Sequence, residues 1–481
     1  ASEFMRVVLA NVKGGPREHD DPQRGVGPNQ TPLRRRTTRM RFTEPTVAPA
    51  SGVPQVSNEY GSLGHELDVR IYRTIRCNFG PMDPVRNPYA PGAGQRPPEL
   101  AGRKKQLDAF DVVLERITRG RPERSVVLTG LRGVGKTVLL NHLRSAAIAR
   151  GWGTGKIEAR PDQELRRPLS SALHMAVRGI AASHRDPERV DEFLGVLKAF
   201  ALRATADKGM RERWQPGIDV PAKTGRADSG DIEIDLVELL LDASALAGDV
   251  GVGIAIFIDE MQDLGPADIS ALCAACHELS QDTAPLIIVG AGLPHLPAVL
   301  SASKSYSERL FSYHRIGRLE RAAADLALIA PADREDVEFT PEALDALYAA
   351  ADGYPYFVQA YGKATWDLAA DSPISAEDVR VAAPTAEEEL AVGFFGSRYE
   401  RATPAEREYM RAMAELSVDD GSVPTSAVAT ELKRKPASLS PARDGLIKKG
   451  LIYSAERGTI AFTVPHFGRY LRAQTDEPAA V

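Results

Sequence analysis

The pattern of hydrophobic and polar positions changes character near residue 98. Before it, residues 5 to about 60 are rich in Pro, Gly, Arg and Thr and hold no apolar period, which predicts a disordered tail. Residues 61–97 read as a bridge, with "LDVRIYRTI" as one short element and "NPYAPGAGQRPPEL" as a Pro/Gly linker. From 98 onward "AGRKKQLDAFDVVLERITRG" repeats apolar residues at helical spacing. "SVVLTG" (125–130) is then a short β-branched run, hence a buried strand. "KTVLLNHLRSAAIAR" returns to a helical period, and "GIAIFIDE" and "PLIIVGAG" are the clearest later strands. Such alternation, continuing to about 320, predicts an α/β fold with a parallel sheet covered by helices on both faces. Ahead of "GIAIFIDE", the stretch 214–236 carries Pro, Gly and alternating Ile/Val, which suggests an inserted hairpin loop. Residues 321–392 are mostly helical, and 397–475 start helical and end in a strand pair.

Composition narrows the class. With 481 residues, 43% hydrophobic and 26% charged, the chain is ordinary globular material with room for two to four domains. A net charge of −5 does not advertise nucleic acid as a partner of the whole chain. Three cysteines make no disulfide framework and fit a reducing, cytoplasmic setting. No apolar run reaches about 18 residues, so no membrane span is expected. "ASEF" before Met5 reads as a vector scar. "RRRTTRMR" (34–41) places five arginines in eight residues, either as a solvated basic tail or as a contact for nucleic-acid phosphates.

The chemistry concentrates in "TGLRGVGKTVLL", which spells Gly130-x-x-x-x-Gly135-Lys136-Thr137 between a predicted strand and a predicted helix. Gly130, Gly133 and Gly135 let the backbone approach phosphates without a Cβ in the way. The N–H groups of the loop, through Val134 to Val138 at the helix start, then cradle the anion. Lys136 is placed to reach the β- and γ-phosphates and Thr137 to ligate Mg²⁺. The partner is "IAIFIDEMQDL" (254–264), an apolar strand ending in Asp259 and Glu260. Asp259 is the expected Mg²⁺ holder and Glu260 the residue that polarises the attacking water. ATP or ADP with Mg²⁺ is therefore the expected ligand. Gln262 and Asp263 lie close by and receive no role.

"LCAACHELSQ" contains Cys273-Ala-Ala-Cys276-His277, the C-x-x-C-H pattern of c-type haem attachment. Its setting argues against haem. Ile269, Leu272, Cys273, Cys276 and Leu279 recur at helical spacing between two buried strands, so the thiols belong to a face packed on the sheet. A single Cys pair also falls short of a structural zinc site.

P-loop, Asp-Glu strand, helical region and C-terminal domain in this order resemble AAA+ ATPases, and within them the initiator clade of origin-recognition ATPases. The resemblance covers about 98–475. It implies a nucleotide-binding domain at 98–320, a helical lid at 321–396 and a winged helix at 397–475, with a tail at 476–481. It also implies a sensor after the fourth strand. Here "VGAGLPHL" offers His295 at most, for which a surface histidine at a helix start is the plainer reading. An arginine finger serving a neighbouring copy is expected soon after. Arg309 is favoured over Arg315 and Arg318, with an ordinary surface arginine as the alternative. Initiator lids carry an arginine where this chain has Tyr356. Gly353-Tyr354-Pro355 instead looks like the Gly-x-Pro element of STAND signalling ATPases, whose proline packs near the nucleotide. That departure implies slow, switch-like turnover.

In the C-terminal part, Thr403 and Pro404 open a helix, "TSAVATELK" makes a second, and Ser440-Pro441 open a third that stops at Gly450. "LIYSAE" and "TIAFTV", turning at Arg457-Gly458, make a wing. This is similar to a winged helix-turn-helix. Residues 425–475 carry nine Lys/Arg against three acids, a net of +6 in an acidic chain. That supports contact with double-stranded DNA through Arg443, Lys448, Lys449 and Arg457. Protein docking is the other common use of such a domain. The leading reading is an ATPase assembling on DNA, as a homo-oligomer or with a protein partner. Its alternatives are a STAND-like switch acting on a protein and a relative that binds nucleotide without hydrolysis, which an intact Glu260 disfavours.

Overall fold

The computed structural model describes residues 82–92, 94–203, 217–417 and 421–474. The N-terminal tail with its basic 34–41 run, the front of the 61–97 bridge with Cys77, residues 214–216 and the 476–481 tail lie outside the described residues.

Five parallel strands form the central sheet: β1 (Ser125–Thr129), β2 (Gly153–Glu158), β3 (Ile254–Asp259), β4 (Leu286–Gly292) and β5 (Phe311–Arg315), in the order β2-β3-β4-β1-β5. β1, β3 and β4 are buried along their whole length, as continuous apolar runs require when helices cover both faces. Val126 pairs with Val289 and Phe257 with Val289, so β1 and β3 flank β4. That order brings the C-terminal ends of β1 and β3 to one edge, where ligands of open α/β sheets bind. Two cores sandwich the sheet, one centred on Phe257, Leu139 and Leu140 and the other on Ile256, Leu239 and Leu272.

Cys273 and Cys276 lie in the second core, on the helix Pro266–Gln281. Burial pushes their thiols up to about 11 and about 12. Cys276 Sγ lies 3.6 Å from Ser125 Oγ at the start of β1.

The inserted stretch is not a hairpin. "IEIDL" opens the helix Ile232–Val250, capped by the Asp231 carboxylate, which accepts from Glu233 N–H. The alternation of Ile with acids that suggested a strand is also what a helix start looks like when acids fill its first turn. Asp235 then turns inward, fully buried, and receives Arg166 at 2.8 Å and the Ser229 hydroxyl at 2.6 Å.

Four further helices follow: Arg321–Asp333, Pro341–Ala351, Pro355–Leu368 and Ala376–Glu389. Residues 82–92, expected to be linker, pack on them. Tyr89 is buried and its hydroxyl donates to Leu328 O, while Trp366 Nε1 donates to Asp83 O. A π-helical turn, Leu390–Gly396, leads into the C-terminal part, and one continuous apolar core joins the two. Phe394 and Phe395 are the hinge of that core, Phe395 stacking on Phe467 and Tyr470.

The C-terminal part has helices Pro404–Leu416, Thr425–Glu431 and Pro436–Lys448 and a small sheet of order β6-β8-β7 (Val423–Pro424, Thr459–Phe462, Ile452–Ser454). Thr403 and Glu406 form a reciprocal capping box, and Pro404 takes the first helical position. Two expectations need correcting. The third helix begins at Pro436, not Pro441. Either proline suits a first turn, but Ser440 donates back to Pro436 O at 3.4 Å instead of capping, and Pro441 sits inside the helix. The domain also does not end in a strand pair. β6 adds a third strand, and a closing helix, Phe467–Ala473, packs on Pro404–Leu416. This is a winged-helix-like arrangement.

Candidate nucleotide site

Between β1 and the helix Lys136–Ala149 the chain turns through Gly133 (φ +82°) and Gly135 (φ +87°), the left-handed backbone that favours glycine. A Cβ on Gly130 would stand 2.2 Å from Ile316 O, so that glycine answers to close packing. The loop borders a cleft of about 520 Å³ lined by Val134, Lys136, Thr137, Val138, Asp259, Glu260, Pro355 and Tyr356 among others. Gly133 to Val138, both acids and Pro355 are thus brought together, whereas Gly130 packs against Ile316, donates its N–H to Gly292 O and does not line the cleft. Lys136 Nζ donates to Gly130 O and Leu131 O at 2.9 and 2.8 Å. Burial pulls its ammonium down to about 8, against the opposing pull of Glu260 and Asp259.

Asp259 is buried at the tip of β3, and burial raises its carboxyl although Thr137 hydrogen-bonds to it. Glu260 has left-handed backbone (φ +50°), unusual for a residue with a side chain, so the strand end is sharply turned there. Gln262 fixes the result. Its Nε2 donates to Glu260 Oε2 at 2.7 Å, and its Oε1 accepts from Leu293 N–H, just past β4, at 3.0 Å. Glu260 is therefore tied to the neighbouring strand end through an amide that the motif alone did not single out.

The lid closes the cleft. Tyr356 N–H donates to Gly133 O at 3.3 Å, and the Tyr356 ring stacks on Phe394 at 4.6 Å. Arg103 also lines the cleft and donates to Val134 O and Gly317 O. Two further arginines line the cleft: Arg132 within the loop and Arg398 beyond the lid.

Other expected residues lie elsewhere. Arg309 is exposed on the short helix Ser307–Leu310 and does not line the cleft. Arg318 pairs with Asp352 at 2.6 Å. His295 does not reach the cleft either; it stacks on Tyr453 of the wing at 5.8 Å. Arg443 bonds its neighbour Asp444, Lys448 faces Asp162 at 3.8 Å, and Arg457 is exposed at the wing tip. Lys449 donates to Glu406 at 2.5 Å. That bond joins the end of the third helix to the capping box of the first, so the Lys449 ammonium is already paired within the domain.

The C-terminal part also touches the phosphate loop directly. Arg132 N–H donates to Thr463 O at 2.9 Å, and a Cβ on Gly450 would stand 2.8 Å from the Arg132 guanidinium.

Residues 99–289 match the family described as AAA ATPase domain. Over those residues the chain has the α/β P-loop AAA+ fold. That family implies nucleotide binding and ATPase activity at the level of the family. Residues 392–471 match a domain of unknown function, DUF8462. Among solved structures, a Walker-type ATPase of Pyrococcus abyssi is similar over 78% of this chain and 97% of its own, with 16% identity and a TM-score of 0.50. At that identity the likeness is one of fold. The Orc1 protein of Aeropyrum pernix in complex with DNA covers 79% of this chain and 94% of its own at 15% identity and a TM-score of 0.38. The RuvB Holliday junction branch migration motor of Thermotoga maritima covers 80% and 100% at 17% and 0.37. No curated protein matches the chain.

Proposed function

We propose that the protein is an ATP-driven switch in which ATP binding and slow hydrolysis at the P-loop set the position of the winged-helix domain and so its engagement of double-stranded DNA. The observation that carries this reading is the bond from Arg132, inside the phosphate loop, to Thr463 beside the wing. A loop that rearranges around phosphates cannot do so without affecting that contact.

Within this reading the loop N–H groups from Gly133 to Val138 bind the phosphates, Lys136 supplies the mobile cation, and Pro355 packs near the nucleotide. Thr137 and Asp259 suit Mg²⁺: a hydroxyl and a buried carboxylate, already hydrogen-bonded to each other, are the donors a hard cation takes. Bound there, Mg²⁺ neutralises charge on the β- and γ-phosphates. Glu260, held by Gln262, orients and polarises the attacking water. Arg309, exposed and away from its own cleft, serves the site of a neighbouring copy in a cytoplasmic homo-oligomer.

For DNA, Arg443, Lys448 and Arg457 are the contacts, with the third helix in the major groove and the wing tip on the backbone. Lys448 faces a second cleft, of about 490 Å³, whose walls include Asp162, Glu164, Asp263 and Asp268. In this arrangement acids of the ATPase domain stand where phosphates would. That favours a second reading, in which the winged helix acts as a brake on the nucleotide site and the partner is a protein.

A titration of labelled duplex into full-length protein with ATP decides between them. DNA engagement predicts binding that weakens steeply between about 50 and about 200 mM salt, as counterion release requires, and that falls further in Arg443→Glu/Lys448→Glu. Absence of binding at the lower salt, together with raised basal turnover in that variant, would favour the brake.

A further inference from the structure

Arg103, Arg132, Lys136, Lys156 and Arg398 line the cleft together with Glu99, Glu158, Asp259 and Glu260, and Arg132 and Arg398 are half-buried. Arg132 approaches Glu260 no closer than 4.0 Å, and its Nε is buried with no hydrogen-bond partner. Arg398 is similarly placed. Its guanidinium lies over the Phe394 ring at 4.5 Å and donates one bond to Phe394 O, yet its Nε is also buried without a partner. Burial, then the neighbouring Arg132 and Arg401, pull it down to about 10. Two guanidinium groups that repel each other and keep buried, unpaired donors are costly unless an anion joins them. Arg398 is held there from both sides. Phe394 stacks on Tyr356 of the lid, and Phe395 stacks on the closing helix of the C-terminal domain.

We propose that Arg398, paired with Arg132, grips the terminal phosphate of a nucleoside triphosphate bound in its own subunit. The segment joining lid to winged helix is then the element that distinguishes triphosphate from diphosphate. This rests on the ATP-site reading above and adds to it a cation supplied in cis, from outside the ATPase domain. The lid position that holds Tyr356 offers no charge, and Arg398, on the short helix Ser397–Tyr399, lies over Phe394, which stacks on Tyr356. Arginine suits the task because its planar fork pairs with phosphate oxygens bidentately, which lysine cannot do.

The test is the ratio of affinities for a slowly hydrolysed ATP analogue and for ADP, both with Mg²⁺, measured on full-length wild type, Arg398→Ala, Arg398→Lys and Lys136→Ala. Arg398→Ala is expected to weaken the ATP analogue roughly 10- to 100-fold, the span for losing one charged hydrogen-bond pair, while ADP changes by less than about threefold. Arg398→Lys should fall between Arg398→Ala and wild type. Equal loss for both nucleotides, or an unchanged ratio in both Arg398 variants, overturns the proposal. If Arg398→Ala melts before it can be measured, the Lys variant alone decides, since an unchanged ratio there also overturns it. Failure of wild type itself to bind either nucleotide would instead remove the ATP-site reading, and a wild type that binds and a Lys136→Ala that does not keep the two questions apart.

Discussion

The phosphate loop and the basic surface proposed on the winged helix illustrate two ways a surface can be built. The loop is local: six residues between one strand and one helix, with the first two residues of that helix, place glycines, lysine and threonine. The winged-helix surface is collective. Its basic residues come from the third helix and the wing, and the availability of two of them is decided by distant partners: Glu406 for Lys449, Asp162 for Lys448. Local sites can be read from spacing; collective ones have to be read from what else touches them.

The contrast breaks most sharply at Lys136. Lys136→Ala should weaken Mg-ATP binding by roughly two to three orders of magnitude, since removing one partner of a buried charge contact costs about 3–5 kcal/mol. Glu260→Gln should still bind ATP but turn over at least about 100-fold more slowly, because only water activation is lost. Isothermal titration with single-turnover hydrolysis separates the two. Undiminished turnover in the Gln variant would show that this acid is not the catalytic one.

The strands, the P-loop, the acidic strand end and the caps at Thr403 and Pro404 were legible because each rests on neighbours within a few residues. The misreadings share the opposite cause. Pro436 and Pro441 are equivalent as sequence, and the choice between them follows from the back-bond of Ser440. The closing helix Phe467–Ala473 is short, and it forms because Phe467 and Leu471 bury against the C-terminal core. "IEIDL" alternates like a strand, and Asp235 turns it into a helix by meeting Arg166 in the interior. Arg398 belongs to no motif, and Gln262 lies inside one that gives it no role; their placement appears once the lid, β4 and the C-terminal core are assembled.

Gln262 sharpens the comparison, being a residue inside the local motif whose role is set by a distant strand. Gln262→Ala should lower kcat roughly tenfold, through a misplaced Glu260, and leave ATP affinity as it was. Gln262→Glu should be slower still, because a second carboxylate would replace the amide donor now 2.7 Å from Glu260 Oε2. Steady-state kinetics on both variants give the order. Equal rates for Ala and Glu would mean that the amide does not position the acid.

The smallest effect belongs to the cysteines, where a motif that looks chemical is packing. Cys273→Ala/Cys276→Ala should leave ATP binding intact and cost about 1–3 kcal/mol of stability in total, as two small buried side chains would. The pH dependence supplies a second readout. Both thiols ordinarily ionise near 9.0, and in the folded protein burial raises them to about 11 and about 12. Between those values the unfolded chain has released protons that the folded one keeps, so unfolding is favoured as pH rises. Their contribution is therefore fully present below about pH 9 and is lost as pH climbs through 11 to 12. Chemical denaturation at pH 8 and pH 10 should show the wild type losing more stability than the double variant over that interval. At pH 8 the folded protein should also resist alkylation at both positions until it is unfolded, since the thiolate is the reactive form. Rapid labelling of either thiol in the native state would mean that the face is not packed on the sheet, and the C-x-x-C-H stretch would again need a chemical explanation.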